Sequence, residues 1–152
     1  KAIQFLALLA TALALVPGGA HLFALPNKIG LDQSDYFTVQ HIYNGWALFG
    51  IVLFAAIVLD IGLAVMLRDQ PRPFFLAVLA AICAAANLII IFLWTFPANR
   101  ATSNWTVAPA DWQSLRTAWE YSHAVNAGLT FVALCALILS TLSVARTLPA
   151  GA

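Results

Sequence analysis

From His41 to Leu67 the chain reads HIYNGWALFGIVLFAAIVLDIGLAVML, and from Trp46 onward a single charged residue, Asp60, interrupts the apolar run. An α-helix needs ~20 such residues to cross about 30 Å of hydrocarbon, and this stretch supplies them. Working outward, three more blocks share the pattern, at about 2–25, 74–96 and 121–145. The four blocks predict an all-α integral membrane protein: one domain over residues 1–152, built as a bundle of four transmembrane helices.

Composition points the same way. Of the 152 residues, 62% are hydrophobic and 9% charged. A soluble domain carries about 25% charged residues, so this chain lacks the material for a polar shell. The net charge of +1, with no basic run and no Gly-rich phosphate loop, argues against a nucleic-acid partner. Cys83 and Cys135 lie in apolar blocks without a CxxC spacing, and read as packing residues. No nucleophile elbow, gating helix or selectivity filter is visible, and the Asn104-x-Thr106 sequon reads as accidental.

Lys1, an apolar stretch and Gly18-Gly19-Ala20 have the outline of a signal peptide. The apolar stretch runs on to Leu25, however, and the segment is expected to remain as the first span. Pro17-Gly18-Gly19 should kink it, with neighbouring helices satisfying the freed backbone groups. The short connection Arg68-Asp69-Gln70-Pro71-Arg72-Pro73, with Lys1 and Arg146, gathers the basic excess on one side. The long connections carry Lys28, Arg100 and Arg116 against Asp32, Asp35, Asp111 and Glu120. The basic side is expected to be cytoplasmic, which puts both termini inside a multi-pass protein of the inner cell membrane. Trp105, Trp112 and Trp119 suit the opposite membrane–water interface.

The two halves echo each other. Pro26-Asn27-Lys28 is followed by Phe37-x3-His41-x2-Asn44; Pro97-Ala98-Asn99-Arg100 is followed by Trp119-x3-His123-x2-Asn126. This predicts a two-plus-two hairpin repeat with His41 and His123 at matching depths. Ser34 or Asp35, and Asp111, are plausible N-caps. Helices starting there would run about 50 Å at 1.5 Å per residue and project beyond the bilayer. With the long loops they would enclose a vestibule.

Polar residues in that region are the functional candidates. His21, His41 and His123 fall in the outer half, and Glu120 precedes His123 at the Glu-x-x-His spacing of di-iron bundles. They could form a ligand set for iron, copper or zinc, or simply hydrogen-bond to loops and helix ends. Glu120, His123, Asn126, Thr130, Leu137 and Thr141 follow helical spacing, so this stripe should face the bundle. Its outer part reads as pocket; Ser140 and Thr141 read as interhelical glue. Asp60 and Asn87 are intramembrane polar residues, and Asp60 is expected on a different face from His41, snorkelling toward Lys1 or Gln4 or serving a second site. Lys28 and Arg100 are expected to point into a common vestibule, or to bind lipid phosphates or loop carboxylates.

The run Asn99, Trp112, Arg116, Trp119, Glu120 and His123 resembles the anthrone-oxygenase-like family of small four-helix membrane proteins. There an asparagine after the third span precedes a W-x3-R-x2-W-x3-H type segment entering the fourth. A basic residue often follows the histidine by three in that family; here the position holds Asn126. The resemblance implies oxidation of a polycyclic anthrone to an anthraquinone with dioxygen. It singles out Asn99, Arg116, Trp119 and His123.

Three functions follow from these readings. The first is an oxidoreductase for a small phenolic or quinone-like molecule, with His123, Glu120 and His41 as catalytic residues. Asn99, Arg116, Trp119, Asn126, Asn44, Lys28 and Arg100 would bind the substrate. The second is a non-enzymatic accessory subunit of a larger membrane complex, or a hydrophobic-ligand-binding protein; the expected partners are membrane lipids, a small hydrophobic ligand, and either further copies of the chain or a larger membrane complex. The third is a small transporter subunit with Asp60 as its coupling acid. The topology has its own test: a cysteine placed at Ser103 should react with an impermeant maleimide from outside intact cells, and one at Arg68 only after lysis. The reverse pattern inverts the orientation.

Overall fold

The computed structural model describes residues 1–145; Arg146, counted above on the basic side, lies outside the described residues. The chain forms helices α1 (Ala2–Lys28), α2 (Gln33–Gln40), α3 (Phe49–Met66), α4 (Pro71–Ile90), α5 (Phe96–Ala101) and α6 (Trp112–Ala145). A π-helical turn, Ile91–Thr95, joins α4 to α5 without a break, and short 3-10 turns at His41–Tyr43 and Trp46–Leu48 lead into α3. No strand occurs among the described residues. Four helical stretches are long and apolar enough to cross a membrane: Ala2–Lys28, Trp46–Met66, Pro71–Ala101 and Trp112–Val144. The protein is a four-helix membrane bundle.

α1 packs on α3, α3 on α4, α4 on α6, and α6 back on α1, closing a ring. Its seams are lined by small residues. Ala7, Ala77, Ala80, Ala133 and Ala136 are buried, while Phe5, Ile51, Phe54, Phe75 and Phe131 face outward. This distribution follows from the solvent: lipid tails are as apolar as leucine, so helices associate by close backbone approach rather than by hiding large side chains. Gly18 marks a close backbone approach, since a Cβ there would lie 3.2 Å from the Cα of Ala127 on α6. At the end with the short α3–α4 connection, Ser140 Oγ donates to the carbonyl of Pro73 at 2.9 Å and ties α6 to the start of α4. Ser140 thus acts as the interhelical glue expected of it.

Several boundaries differ from the sequence reading. The second span starts at Trp46 and not at His41, because Gly45 adopts φ +85° and breaks the chain between α2 and α3. The long helix expected from Ser34 or Asp35 is therefore two helices, and the cap is Asp32, whose carboxylate accepts from Asp35 N–H at 2.9 Å. That bond and the Ser34 hydroxyl hold the Asp32 carboxyl below its ordinary range. α1 stays helical through Pro17 and Pro26 to Lys28. The third span is longer than expected and takes in the π-turn: Phe96 N–H bonds back five residues to Ile91. This spacing falls beside Pro97, which has no N–H for the ordinary bond to Leu93. α6, by contrast, is the single helix of more than thirty residues expected from Asp111.

Beyond the small-residue core, a second cluster forms around Tyr36, Ala98, Trp105 and Trp119 at the long-loop end. Trp105 and Trp119 are buried in it. Arg116 Nη1 donates to Leu31 O at 2.7 Å and holds the α1–α2 connection against α6. Replacing Gly18 with leucine should lower thermal stability in detergent by about 1–3 kcal/mol through overpacking. Gly19→Ala, where nothing lies within 4 Å of the new Cβ, should leave the melting temperature nearly unchanged. Equal losses in both variants would remove the Gly18–Ala127 seam from the argument.

Candidate functional site

The π-turn, the 3-10 turns and the adjoining parts of α1 and α6 leave a cavity of about 510 Å³ at the long-loop end. Its walls are largely apolar and aromatic, with Pro17, Tyr43, Trp46, Leu53, Phe96 and Trp119 among them. His21, Gln40, Asn44, Asn87, Thr95, Asn99, Asn126 and His123 supply the polar lining. An apolar cleft with a few convergent polar groups is the general form of a small-molecule site.

Behind this lining runs a buried chain of polar contacts. Tyr36 Oη donates to Glu120 Oε1 at 2.9 Å. The same oxygen receives Lys28 Nζ at 2.9 Å. Lys28 Nζ also lies 3.4 Å from His21 Nδ1. His21 in turn stacks on His123, with ring centroids 4.1 Å apart and planes 28° from parallel. Tyr36, Glu120, Lys28 and His21 are all buried. Burial, reinforced by the Glu120 carboxylate, drives the Tyr36 phenol far above its ordinary range, so Tyr36 serves as a permanent hydrogen donor.

Local sequence explains this convergence. Glu120 and His123 are three residues apart and so share one face of α6. His21 and Lys28 are seven apart, two turns along one face of α1. Lys28 additionally lies over the rings of Tyr43 and Trp119, at 4.7 and 5.3 Å. Asn99 fixes the wall: its Oδ1 accepts the indole N–H of Trp119 at 2.8 Å and of Trp105 at 3.1 Å. Ser103, Asn104 and Trp105 take positive φ angles of 48°, 55° and 63°, a left-handed turn that swings Trp105 back toward Asn99. The hydroxyls of Thr95 and Ser122 meet at 2.8 Å and link the π-turn to α6.

Of the predicted site residues, His21, Asn44, Asn99, Trp119, His123 and Asn126 line the cavity, with Glu120 and Lys28 directly behind it. His41 does not join them. It is exposed on the 3-10 turn after α2 and is absent from the cavity wall, so it is not the counterpart of His123. The Phe37–Asn44 motif winds through a helix end and a turn, whereas Trp119–Asn126 lies inside α6. The two motifs therefore occupy different kinds of backbone, and the histidine equivalence fails. Arg100 is exposed and shares no vestibule with the buried Lys28. Arg116 acts on the loop, stacking over Trp112 and Tyr36 at 4.7 and 5.3 Å, rather than in the cavity.

The four-residue metal set is not assembled. Among the described residues, no three His, Cys, Asp or Glu side chains converge as ligands. His21 and His123 present ring faces to each other, and Glu120 Oε1 is taken by Lys28 and Tyr36. Asp60 is a separate feature: it is fully buried on α3 outside the cavity lining, and neither of its oxygens has a hydrogen-bond partner. It forms no ion pair with Lys1, which is exposed. Asn87 lines the inner end of the cavity and donates to Cys83 O at 2.9 Å. Sequence reasoning missed Tyr36 and Gln40; their four-residue spacing on one face of α2 was the available signal.

The chain matches no protein-family model, no curated protein and no solved structure.

Lys28 and Glu120 are a buried pair, and removing one partner strands the other charge, which costs ~3–5 kcal/mol. Lys28→Met and Glu120→Gln should each lower stability in detergent by about that amount. The double variant Lys28→Met/Glu120→Gln should lose clearly less than the sum of the single changes, because no charge is then left alone. Additive losses in chemical denaturation would show that the two residues do not act as a pair.

Proposed function

We propose that the protein is an oxidoreductase of the inner cell membrane that acts on a small, neutral, phenolic or quinone-like molecule, with His123 as the base. One observation carries the reading: His123 is a lining residue of an apolar cavity of about 510 Å³, and its Nε2 is buried without a hydrogen-bond partner. A ring nitrogen left unsatisfied at such a wall is suited to accept a proton from a bound molecule. Asn126 Oδ1 and the Gln40 amide are likewise unpartnered cavity groups and supply further hydrogen bonds for orientation. No net charge faces the ligand, because Lys28 and Glu120 neutralise each other behind the wall. This favours an uncharged occupant that reaches the site from the lipid.

The resemblance around Asn99–His123 supplies the reaction class. For an anthrone, His123 takes a proton from the methylene carbon and the resulting enolate reacts with dioxygen. Both methylene hydrogens leave in water with one oxygen atom, and the other oxygen becomes the new carbonyl. Asn99 holds Trp119 and Trp105 as flat walls for the ring system. Asn44 lies at the rim and contributes to binding rather than chemistry.

The test is turnover of a hydroxylated anthrone by protein purified in detergent, following quinone absorbance and oxygen uptake together. Wild type should form quinone in step with oxygen consumed. His123→Ala should fall by ~10²–10⁴-fold, the usual contribution of a positioned base. His41→Ala should retain full activity. Saturable binding without turnover would replace the enzyme with a hydrophobic-ligand-binding protein, and full activity in His123→Ala would remove the base.

A further inference from the structure

We propose that Lys28 is a positioning residue that sets the tautomer of His21. The imidazole then presents an N–H donor to the cavity and takes an oxygen acceptor of the ligand there, a carbonyl or phenolate oxygen. For the ligand class the inference rests on the function proposed above. The tautomer stands independently of it.

The argument begins with what an ammonium group can do. It has three donors and no acceptor. Lys28 Nζ lies 3.4 Å from His21 Nδ1, so this nitrogen must carry the lone pair. In a neutral ring the proton then sits on Nε2. Lys28 is held in place to enforce this. Its second donor engages Glu120 Oε1 at 2.9 Å, and that oxygen is pinned by Tyr36 Oη. Tyr43 and Trp119 flank the ammonium. Lys28 is only 3% exposed, so the side chain is held inside the protein.

The His21 ring is equally constrained. Beside the His123 stack, it meets Tyr43 at 4.1 Å and the edge of Trp119 at 4.7 Å between centroids. A half-turn of the ring about its Cβ–Cγ bond would keep these ring contacts but put carbon Cδ2 where Nδ1 stands, and so give up the Lys28 bond. His21 and Asn126 both line the cavity, and Asn126 Oδ1 is a buried acceptor without a partner. The wall thus offers a donor on α1 and an acceptor on α6. A ligand carrying a ring carbonyl and a hydroxyl satisfies both; a bare hydrocarbon satisfies neither.

The experiment uses the full chain in detergent, with histidine labelled by the heavy nitrogen isotope, at a pH where imidazole is neutral. His41→Asn and His123→Asn assign the His21 resonances by elimination. Wild type should show Nδ1 as a pyridine-type and Nε2 as a pyrrole-type nitrogen. The paired variant Lys28→Met/Glu120→Gln removes the donor without stranding a charge, and should show a mixture of tautomers. A pyrrole-type Nδ1 in wild type overturns the proposal, as does an unchanged tautomer in the double variant. Should the variant fail to fold, a pyrrole-type Nδ1 in wild type still overturns the proposal. Anthraquinone should then shift His21 Nε2, and anthracene should not; an equal response to both, or none to either, overturns the oxygen-acceptor assignment. The correct tautomer in a protein that oxidises nothing would sink the proposed activity and leave the Lys28 role intact.

Discussion

A buried ion pair organises this molecule. Lys28 ends α1 and Glu120 lies near the start of α6, and their contact at 2.9 Å joins two helices far apart in sequence. Neither charge would be tolerated alone in so dry a place. Each is therefore surrounded: Glu120 by the Tyr36 hydroxyl, Lys28 by His21 and two aromatic faces. Satisfying the pair draws α2 over the end of the bundle and brings both cavity histidines together. The site is in this sense a by-product of neutralising two charges.

The rest of the bundle obeys a different rule. In the membrane-embedded part, alanine and glycine set the helix separation and large residues face lipid. Alanines pack too closely to leave space between the helices. Room for a ligand appears only where this packing is interrupted, at the π-turn, at the 3-10 turns and beside Pro17-Gly18. The irregular backbone is confined to that same end, where aromatic side chains and Asn99 take up its polar groups.

Sequence patterning made the four spans legible because hydrocarbon thickness imposes one length on all of them. It also exposed the α6 stripe, since helical spacing alone puts Glu120, His123 and Asn126 on one face. It failed where a connection folds back on the bundle. His41 looked equivalent to His123 in a string of letters, but Gly45 turns the chain before α3 and leaves His41 exposed. Lys28 looked like a vestibule charge because its partner lies 92 positions away, a separation no local pattern encodes. Tyr36 went unnoticed for the same reason.

α6 is one uninterrupted rod, and it carries the ion-pair acid, the cavity histidine, the cavity amide and the Ser140 clasp in turn. It works as a ruler against which the other helices are indexed. Inserting or deleting one residue in it would rotate everything beyond by about 100° and misalign one end with the other. The loops, free of that constraint, are where chain length can vary. Descendants of this fold should therefore differ in length at the connections and keep the spacing from Trp119 to Ser140 fixed, so that drift in the caps leaves the register of the site untouched.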